Sequence, residues 1–397
     1  MSDRKNLASQ PRLRLGMAGL GRAFSLMAPT FLRHPRVVVV AGADPRAEAR
    51  AQFVTEFSAR SYATVSDLCG DPDVDAVYVS TPHQFHAEHA CLAAARGKHV
   101  LVEKPMALTL KDCDLMIEAA GRAGVQLLVG HSQSFEPPIL HARSLIAGGR
   151  YGALRMLTSF NYTDFLYRPR RPEELDTARG GGVIFNQAPH QVDVVRLLGG
   201  GLVRSVRALT GAWDETRGTE GAYAALLEFE SGAFATLTYS GYAHFDSDEF
   251  CGWIGESGQR KRGSAASMRA LPADAGQEAE LKEARNYGGP RYAAPAPAEA
   301  HGHFGVVIAS CTRADLRPLP HGVMIHGVDA PVLDPLAPPS VPRATVMDEL
   351  CGAVLDGHMP IHDGHWALAT MEVCLAILQS ARLGRDVPLQ RQVAVRD

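Results

Sequence analysis

The stretch "LRLGMAGLGRAF", Leu13 to Phe24, decides how the first third of the chain is read. A mostly apolar run closes on Gly19 and Gly21, and a helix-like segment begins at Arg22 and Ala23. Two glycines in that place give the tight turn and bare backbone that a pyrophosphate needs at a helix N-terminus. The fingerprint's third glycine would fall at position 24, which is Phe24, so the bulky ring there must be packed another way. The next run, "VVVVAGAD", ends in Asp44, about where an acid binds the hydroxyls of an adenosine ribose. Asp44 favours NAD, since its charge repels a 2′-phosphate. Arg46, two residues on, would receive that phosphate and keeps NADP open. The plainer readings are an ordinary strand–helix turn and a solvated arginine at a helix start.

Outward from this stretch the alternation continues. "VDAVYVSTP", "KHVLVEKP" and "VQLLVGH" are short apolar runs, separated by the helix-like segments Phe85–Arg96 and Leu110–Ala123. Short apolar strands between helices predict a parallel sheet covered on both faces. Residues 1–133 are therefore expected to form a doubly wound Rossmann domain. From 134 to 397 the pattern changes. Leu154–Phe165, Leu202–Trp213, Gly221–Glu230 and Ala233–Tyr242 are longer and more alternating, as antiparallel strands with one wet face are. The "ESGAF" between the last two reads as a tight hairpin. Residues 256–303, rich in Gly, Ala, Pro and charge, read as an insertion or mobile loop. "FGVVIASC" and "GVMIHG" resume strands, "APVLDPLAPPSVP" is expected to be a linker, and two helices close the chain within residues 344–382. The expected fold class is α/β, a Rossmann sheet followed by an α+β domain.

Composition narrows the function classes. At 397 residues the chain is long for one core. A formal net charge of −3 gives no general pull toward nucleic acid or an anionic membrane. No run approaches the length needed to span a bilayer, and the polar N-terminus does not resemble a secretory signal. Seven scattered cysteines without a C-x-x-C pair argue against a zinc site or a disulfide framework, and fit free thiols in a reducing cytoplasm.

In "VSTPHQFHAEHACLAAARGKHVLVEKPMALT" the chain resembles the Gfo/Idh/MocA oxidoreductases. Thr81, Pro82, His86, Gly97-Lys98-His99 and Glu103-Lys104-Pro105 carry the resemblance. "GGGVIFNQAPHQVD", Gly180 to Asp193, is its second hallmark, and "SARLGRDVPL" matches its usual ending. The resemblance implies a Rossmann domain, a second domain on an open, largely antiparallel sheet, and a nicotinamide between them. It implies cofactor contacts from Gly19, Gly21, Arg22, Ala23, Asp44, Arg46, Thr81, Pro82, His83, His86, Glu103 and Lys104. A homodimer or homotetramer through the second sheet is also expected. The chain departs from the family pattern at Asn186 (family Asp), His83 (Asn) and Ser134 (Arg). Without a carboxylate at 186, His190 cannot borrow its charge from there.

The catalytic candidates are Lys104 and His190. An ammonium after a buried strand needs a partner, and the resemblance places it on the reacting hydroxyl or the nicotinamide ribose. In the quoted stretch Pro189 suits a first helical turn and Asn186 suits an N-cap. A helix is therefore expected from about Asn186 to Leu198, with the glycines leaving room above it for a cofactor ring and substrate. A group titrating near neutrality suits proton removal from a carbinol, and Lys104 would stabilise the alkoxide. The plainer readings are a core histidine and a snorkelling lysine.

For substrate, "DFLYRPRRPEELDTARGGG" brings Arg168, Arg170, Arg171 and Arg179 next to the glycines. Arginines there would clamp carboxylates, or else form a solvated loop balanced by Glu173, Glu174 and Asp176. Asn186, His190 and His244 complete the expected substrate contacts. His244, Asp246 and Asp248 alternate, so on a strand they share one face, as pocket lining, a polar strand face or a metal site; no metal is expected. "FLYRPRRPEELDTARGGG", "TYSGYAHFDSDEFCGWIGE" and "CTRADLRPLPHGVM" are similar to the phthalate 4,5-cis-dihydrodiol dehydrogenase branch, which implies an anionic small-molecule substrate, a cis-dihydrodiol with two carboxylates that is oxidised to 4,5-dihydroxyphthalate. A sugar or polyol dehydrogenase is the alternative, and a silent dinucleotide sensor a third.

Overall fold

The computed structural model describes residues 11–130, 133–242, 245–261 and 275–396. The chain divides into two compact units. One takes the chain to Gly130 together with Glu283–Pro295 and Val341–Ala367. The other takes His131–Lys282, Ala296–Ser340 and Leu368–Asp397. The units are thus not the two linear segments expected, because two later stretches return to the first.

In the first unit, strands β1 (Leu13–Ala18), β2 (Val37–Ala43), β3 (Arg60–Tyr62), β4 (Ala76–Val79), β5 (His99–Glu103) and β6 (Leu127–Gly130) form one parallel sheet, ordered β3-β2-β1-β4-β5-β6. The order reverses beside β1, where open α/β sheets bind ligands. Helices α1 (Arg22–Arg33), α2 (Ala47–Phe57), α3 (Val65–Cys69), α4 (His86–Ala95) and α5 (Leu110–Ala123) connect the strands. Thr64 and Thr109 cap α3 and α5, each accepting from the backbone N–H three residues on. Phe24 is fully buried, its ring 5.9 Å from Phe53, 5.7 Å from Phe57 and 5.0 Å from Tyr287. The missing glycine is thus answered by an aromatic cluster.

The second unit is built on a nine-stranded sheet. It contains β7 (Leu154–Tyr162), β8 (Val203–Gly211), β9 (Ala222–Phe229), β10 (Phe234–Ser240), β11 (Val306–Cys311), β12 (Asp315–Leu319), β13 (Gly322–His326), β14 (Val332–Pro335) and β15 (Val387–Pro388). The order is β14-β13-β12-β11-β7-β10-β9-β8-β15, antiparallel except where β7 meets β10. Helices α6 (Pro137–Ala147), α7 (Gly182–Asn186) and α8 (Ala188–Gly199) belong to it. Strand residues alternate buried and exposed along β9 and β10, the mark of one covered and one open face.

Several sequence expectations are corrected. The presumed linker contains β14, an edge strand. The presumed loop 256–303 contains helix α9 (Ala275–Arg285), and Glu283–Pro295 packs in the first unit. Asp246 and Asp248 are not on a strand. Asp246 caps a short turn at Ser247–Cys251, and both carboxylates hold Lys261. His244 lies outside the described residues. Among the described residues one helix, α11 (Gly364–Leu383), which follows α10 (Ala344–Leu355), is long and apolar enough to cross a membrane. Most of its apolar window is buried in the protein, as in a core helix.

His86 ties two loops of the first unit together. It is fully buried, with Nδ1 2.9 Å from the Pro105 carbonyl and Nε2 2.9 Å from the Thr81 carbonyl. Burial is the largest influence on the ring. Together with the His89 and Lys104 charges it outweighs the two carbonyls, and the pKa falls to about 4. A histidine held neutral below its unfolded value contributes stability above that value, and loses it as pH falls through the folded value. Unfolding free energy should therefore decline between about pH 6.5 and 4, by on the order of 3 kcal/mol. Denaturant unfolding of wild type and His86→Gln across that range checks this, since the variant should show a flatter slope.

Candidate functional site: a dinucleotide turn and a buried helix with one open histidine

Gly19 has φ +91°, and a Cβ on it would stand 2.9 Å from the Ser80 carbonyl oxygen and 3.0 Å from the Thr81 nitrogen. Only glycine lets the turn after β1 lie against the loop after β4. Gly21 precedes α1, and nothing stands within 4 Å of where its Cβ would be. No side chain caps α1, and its first turn carries no acid. Bare N–H groups at the start of a 12-residue helix, with exposed Arg22 and half-buried Ala23 beside them, suit an anionic pyrophosphate. The residues present therefore fit NAD.

Asp44 is buried at the end of β2. Its carboxylate accepts from the Leu20 N–H at 2.9 Å and from the Arg46 N–H at 2.9 Å. Arg46 is no solvated helix-start arginine. Its guanidinium pairs with Asp44 at 2.9 Å and also reaches the carbonyls of Leu20 and Tyr287. At the other corner, Glu103 accepts from the Tyr78 hydroxyl at 2.5 Å, and Lys104 is half-buried between buried Val102 and Pro105. Thr81 bonds His89 at 3.0 Å, Pro82 opens the turn at His83–Phe85, and the His83 ring lies 5.5 Å from that of His86. Both ring nitrogens of His86 lie against backbone carbonyls, so the ring shapes this corner from inside the fold.

In the second unit the glycine triplet serves the protein itself. A Cβ on Gly181 would stand 2.6 Å from the Glu174 carbonyl and 2.7 Å from the Asp176 nitrogen. One on Gly182, φ +76°, would collide with Glu220 and Thr219. The bare backbone thus lets the start of α7 settle on Glu220, whose carboxylate accepts from the Ile184 N–H at 3.1 Å. The space a side chain would take at Gly181 and Gly182 is filled by the chain's own atoms. Asn186 is not an N-cap: it ends α7, and its side chain donates to the Gly182 carbonyl at 2.8 Å. Pro189 sits in the first turn of α8, as its missing N–H favours.

From Gly180 to Leu198 every residue is buried except His190. Its ring lies 5.0 Å from Phe304, which stacks 6.1 Å from Tyr239. The Tyr239 hydroxyl meets Thr163 at 2.7 Å. Arg168 joins this group, paired with Asp164 at 2.7 Å. Burial works against the Arg168 charge, but Asp164 and Glu256 outweigh it and raise its pKa. Glu256 is in turn held by Asn161 at 3.2 Å.

The other arginines divide. Arg170 is buried, bonds the Phe165 carbonyl at 2.7 Å and lies 3.7 Å over the Phe165 ring, so it faces the protein. Burial lowers its pKa to about 10, with Glu174 opposing. Arg171 pairs with Glu173 at 3.2 Å and Glu174 at 3.6 Å. Arg179 is exposed, at the end of the short turn before Gly180, and its side chain has no ion-pair partner among the described residues.

Phe304, Tyr239, Asp164 and Glu256 escaped the sequence reading. Asp164 had a usable signal, four residues before Arg168. Tyr239 had another, since it alternates with buried Leu237 and Ala235. Nothing local marks Phe304 or Glu256, which arrive from far along the chain.

Comparison with known proteins identifies the family of the chain. A family model described as Gfo/Idh/MocA, "Oxidoreductase family, NAD-binding Rossmann fold", matches residues 13–131, and the Gfo/Idh/MocA C-terminal domain model matches 139–260. A 1-carboxy-3-chloro-3,4-dihydroxycyclohexa-1,5-diene dehydrogenase of Comamonas testosteroni is 46% identical over 93% of this chain and 95% of its own. A 1,5-anhydro-D-fructose reductase of Ensifer adhaerens is 34% identical over 58% of this chain and 67% of its own. A crystal structure from Bordetella bronchiseptica RB50 superposes with TM-score 0.90 at 42% identity, covering 95% of this chain and 100% of that one. Both family models match in order, and one relative is similar along nearly its whole length: the chain belongs to the Gfo/Idh/MocA family of NAD-binding oxidoreductases.

Proposed function

We propose that the protein oxidises a cyclohexadiene cis-diol bearing a ring carboxylate to the corresponding catechol. One observation carries the substrate class. Beside the glycines that start α7, Arg179 is a cation that no carboxylate of the described residues neutralises. A single uncommitted guanidinium matches a single carboxylate. The Comamonas testosteroni relative is named for a dihydroxycyclohexadiene with one carboxylate and one chlorine.

Oxidation takes a hydride from a carbinol carbon and a proton from its hydroxyl. NAD, when bound, accepts the hydride. Gly19, Gly21 and the start of α1, with Arg22 and Ala23 beside them, would hold its pyrophosphate. Asp44 would read the adenosine ribose, and Thr81, Pro82, His83 and Glu103 would border the cofactor. His190 takes the proton, since a neutral imidazole is a competent base near pH 7. The Lys104 ammonium offsets the negative charge developing on the oxygen. The product ring becomes aromatic, which supplies the driving force and lets His190 act without the carboxylate that Asn186 replaces.

A second reading is phthalate 4,5-cis-dihydrodiol, favoured by four arginines within residues 168–179. A dianion needs two free cations, yet Arg168, Arg170 and Arg171 are committed to Asp164, the Phe165 carbonyl and Glu173. A panel of mono- and dicarboxylate cis-diols, an uncharged cis-diol and inositol, each with NAD and NADP, separates the readings. Highest kcat/KM on a monocarboxylate diol is expected. Preference for inositol would sink the diol reading and favour a polyol dehydrogenase. Arg179→Ala should raise KM for the carboxylate diol by about tenfold to a hundredfold, the worth of a charged hydrogen bond, and leave the uncharged diol nearly unchanged.

His190→Ala and Lys104→Ala should each lower kcat by about 10²–10⁴-fold. NAD affinity, read by titration calorimetry, should largely survive. Near-normal turnover in His190→Ala would move the base elsewhere.

The assembly expected is a homodimer or homotetramer through the open face of the nine-stranded sheet. Leu209, Leu226 and Phe234 stand on that face, 65%, 40% and 42% exposed. Apolar strand residues left bare on one face suit burial against a second copy. Light scattering should show an oligomer for wild type and a smaller species for Leu226→Arg. A monomeric wild type at micromolar concentration would remove this part of the reading.

A further inference from the structure

A segment outside both matched family regions packs against the adenosine end of the first unit. After α9 the chain makes consecutive turns at residues 286–291. Tyr287 is fully buried there. Its ring meets Phe24 at 5.0 Å and Tyr292 at 5.1 Å, and its hydroxyl donates to Glu56 at 2.7 Å. Gly288, φ +80°, lies so close to α2 that a Cβ on it would stand 2.5 Å from the Ala49 Cα. The segment is thus a strap seated on the helix that follows Asp44.

The strap reaches Arg46 through one atom. The Tyr287 carbonyl accepts from the Arg46 guanidinium at 3.1 Å. The same guanidinium gives Nε–H to Asp44 at 2.9 Å, and the N–H pair of one terminal nitrogen to Asp44 at 3.0 Å and the Leu20 carbonyl at 2.8 Å. One, two and one make four of the five N–H donors an arginine has. So held, Arg46 is no receptor for a 2′-phosphate, which would meet the Asp44 carboxylate instead.

We propose that the strap at residues 286–292 is a cofactor-selectivity element. By holding Arg46 on Asp44 it keeps the protein selective for NAD over NADP. The inference rests on Asp44 reading the adenosine ribose. Tyr287 acts through Arg46 and is a positioning residue. Gly288→Ala forces the strap off α2 without altering Asp44 or Arg46. The freed guanidinium then offers donors to a 2′-phosphate.

Titration calorimetry with NAD and NADP on the whole protein tests this. Wild type should bind NAD more tightly than NADP. In Gly288→Ala the ratio of NADP to NAD dissociation constants should fall about tenfold, the gain of one charge-assisted hydrogen bond. Tyr287→Phe, which keeps the ring and loses only the Glu56 bond, remains folded and should shift the ratio the same way by a smaller factor. In an Arg46→Ala background Gly288→Ala should add nothing, as a shared route requires. An unchanged ratio in both strap variants, or an equal shift without Arg46, overturns the proposal. Asp44→Ala separates the two ideas. If it leaves NAD affinity intact, the ribose reading fails and the strap inference falls with it. If it weakens NAD while the strap variants do nothing, only the strap inference is lost.

Discussion

At Gly19 backbone meets backbone. Any side chain there would collide with the carbonyl that ends at Ser80, and the first unit is arranged around avoiding that collision. The close approach lets β1 and β4 run side by side and bring their C-terminal loops together. It also leaves the start of α1 bare, so that its partial positive charge is available to an anion. His86 continues the same construction by tying the Thr81 loop to the Pro105 loop from beneath.

The second unit solves a different problem, that of burying a polar helix face. Asp193 and Arg196 on α8 are both completely buried. Thr370 donates to Asp193 at 2.9 Å and accepts from Arg196 at 2.8 Å, while Gln392 takes a further Arg196 bond at 3.0 Å. Burial presses the Arg196 pKa down to about 10, with Asp193 opposing. Thr370 thus bridges the two charges, and the helix is pinned in rotation. Gln191 adds bonds to Ser159 at 2.9 Å and from Tyr223 at 2.6 Å. A helix fixed on every other side can present one imidazole with little freedom of aim.

Several charges in both units are spent internally. Arg46 is held by Asp44, Arg168 by Asp164, Lys261 by Asp246 and Asp248, and Arg217 by Glu278. In such a protein the count of basic residues says little about what it attracts. Among the four arginines at 168–179, Arg179 is the one with no ion pair or side-chain hydrogen bond to the described residues, which gives it more weight than its three neighbours.

The sequence by itself determined the parallel sheet, because strands buried on both faces must be short and apolar throughout. It also determined the dinucleotide turn, since Gly19, Gly21 and Asp44 are spaced by the strand and helix that carry them. His190 was legible as a candidate from the pattern around it. What the sequence could not show was where partners from far along the chain arrive. Glu220 lies 38 residues past Gly182 in sequence yet packs against it, so the bare backbone there serves a packing contact. Tyr287 lies 241 residues from Arg46, yet takes one of its donors. Local spacing fixes which groups share a helix face or a strand face. Whether a cation is free or committed depends on long-range packing, and only the tertiary structure decided that.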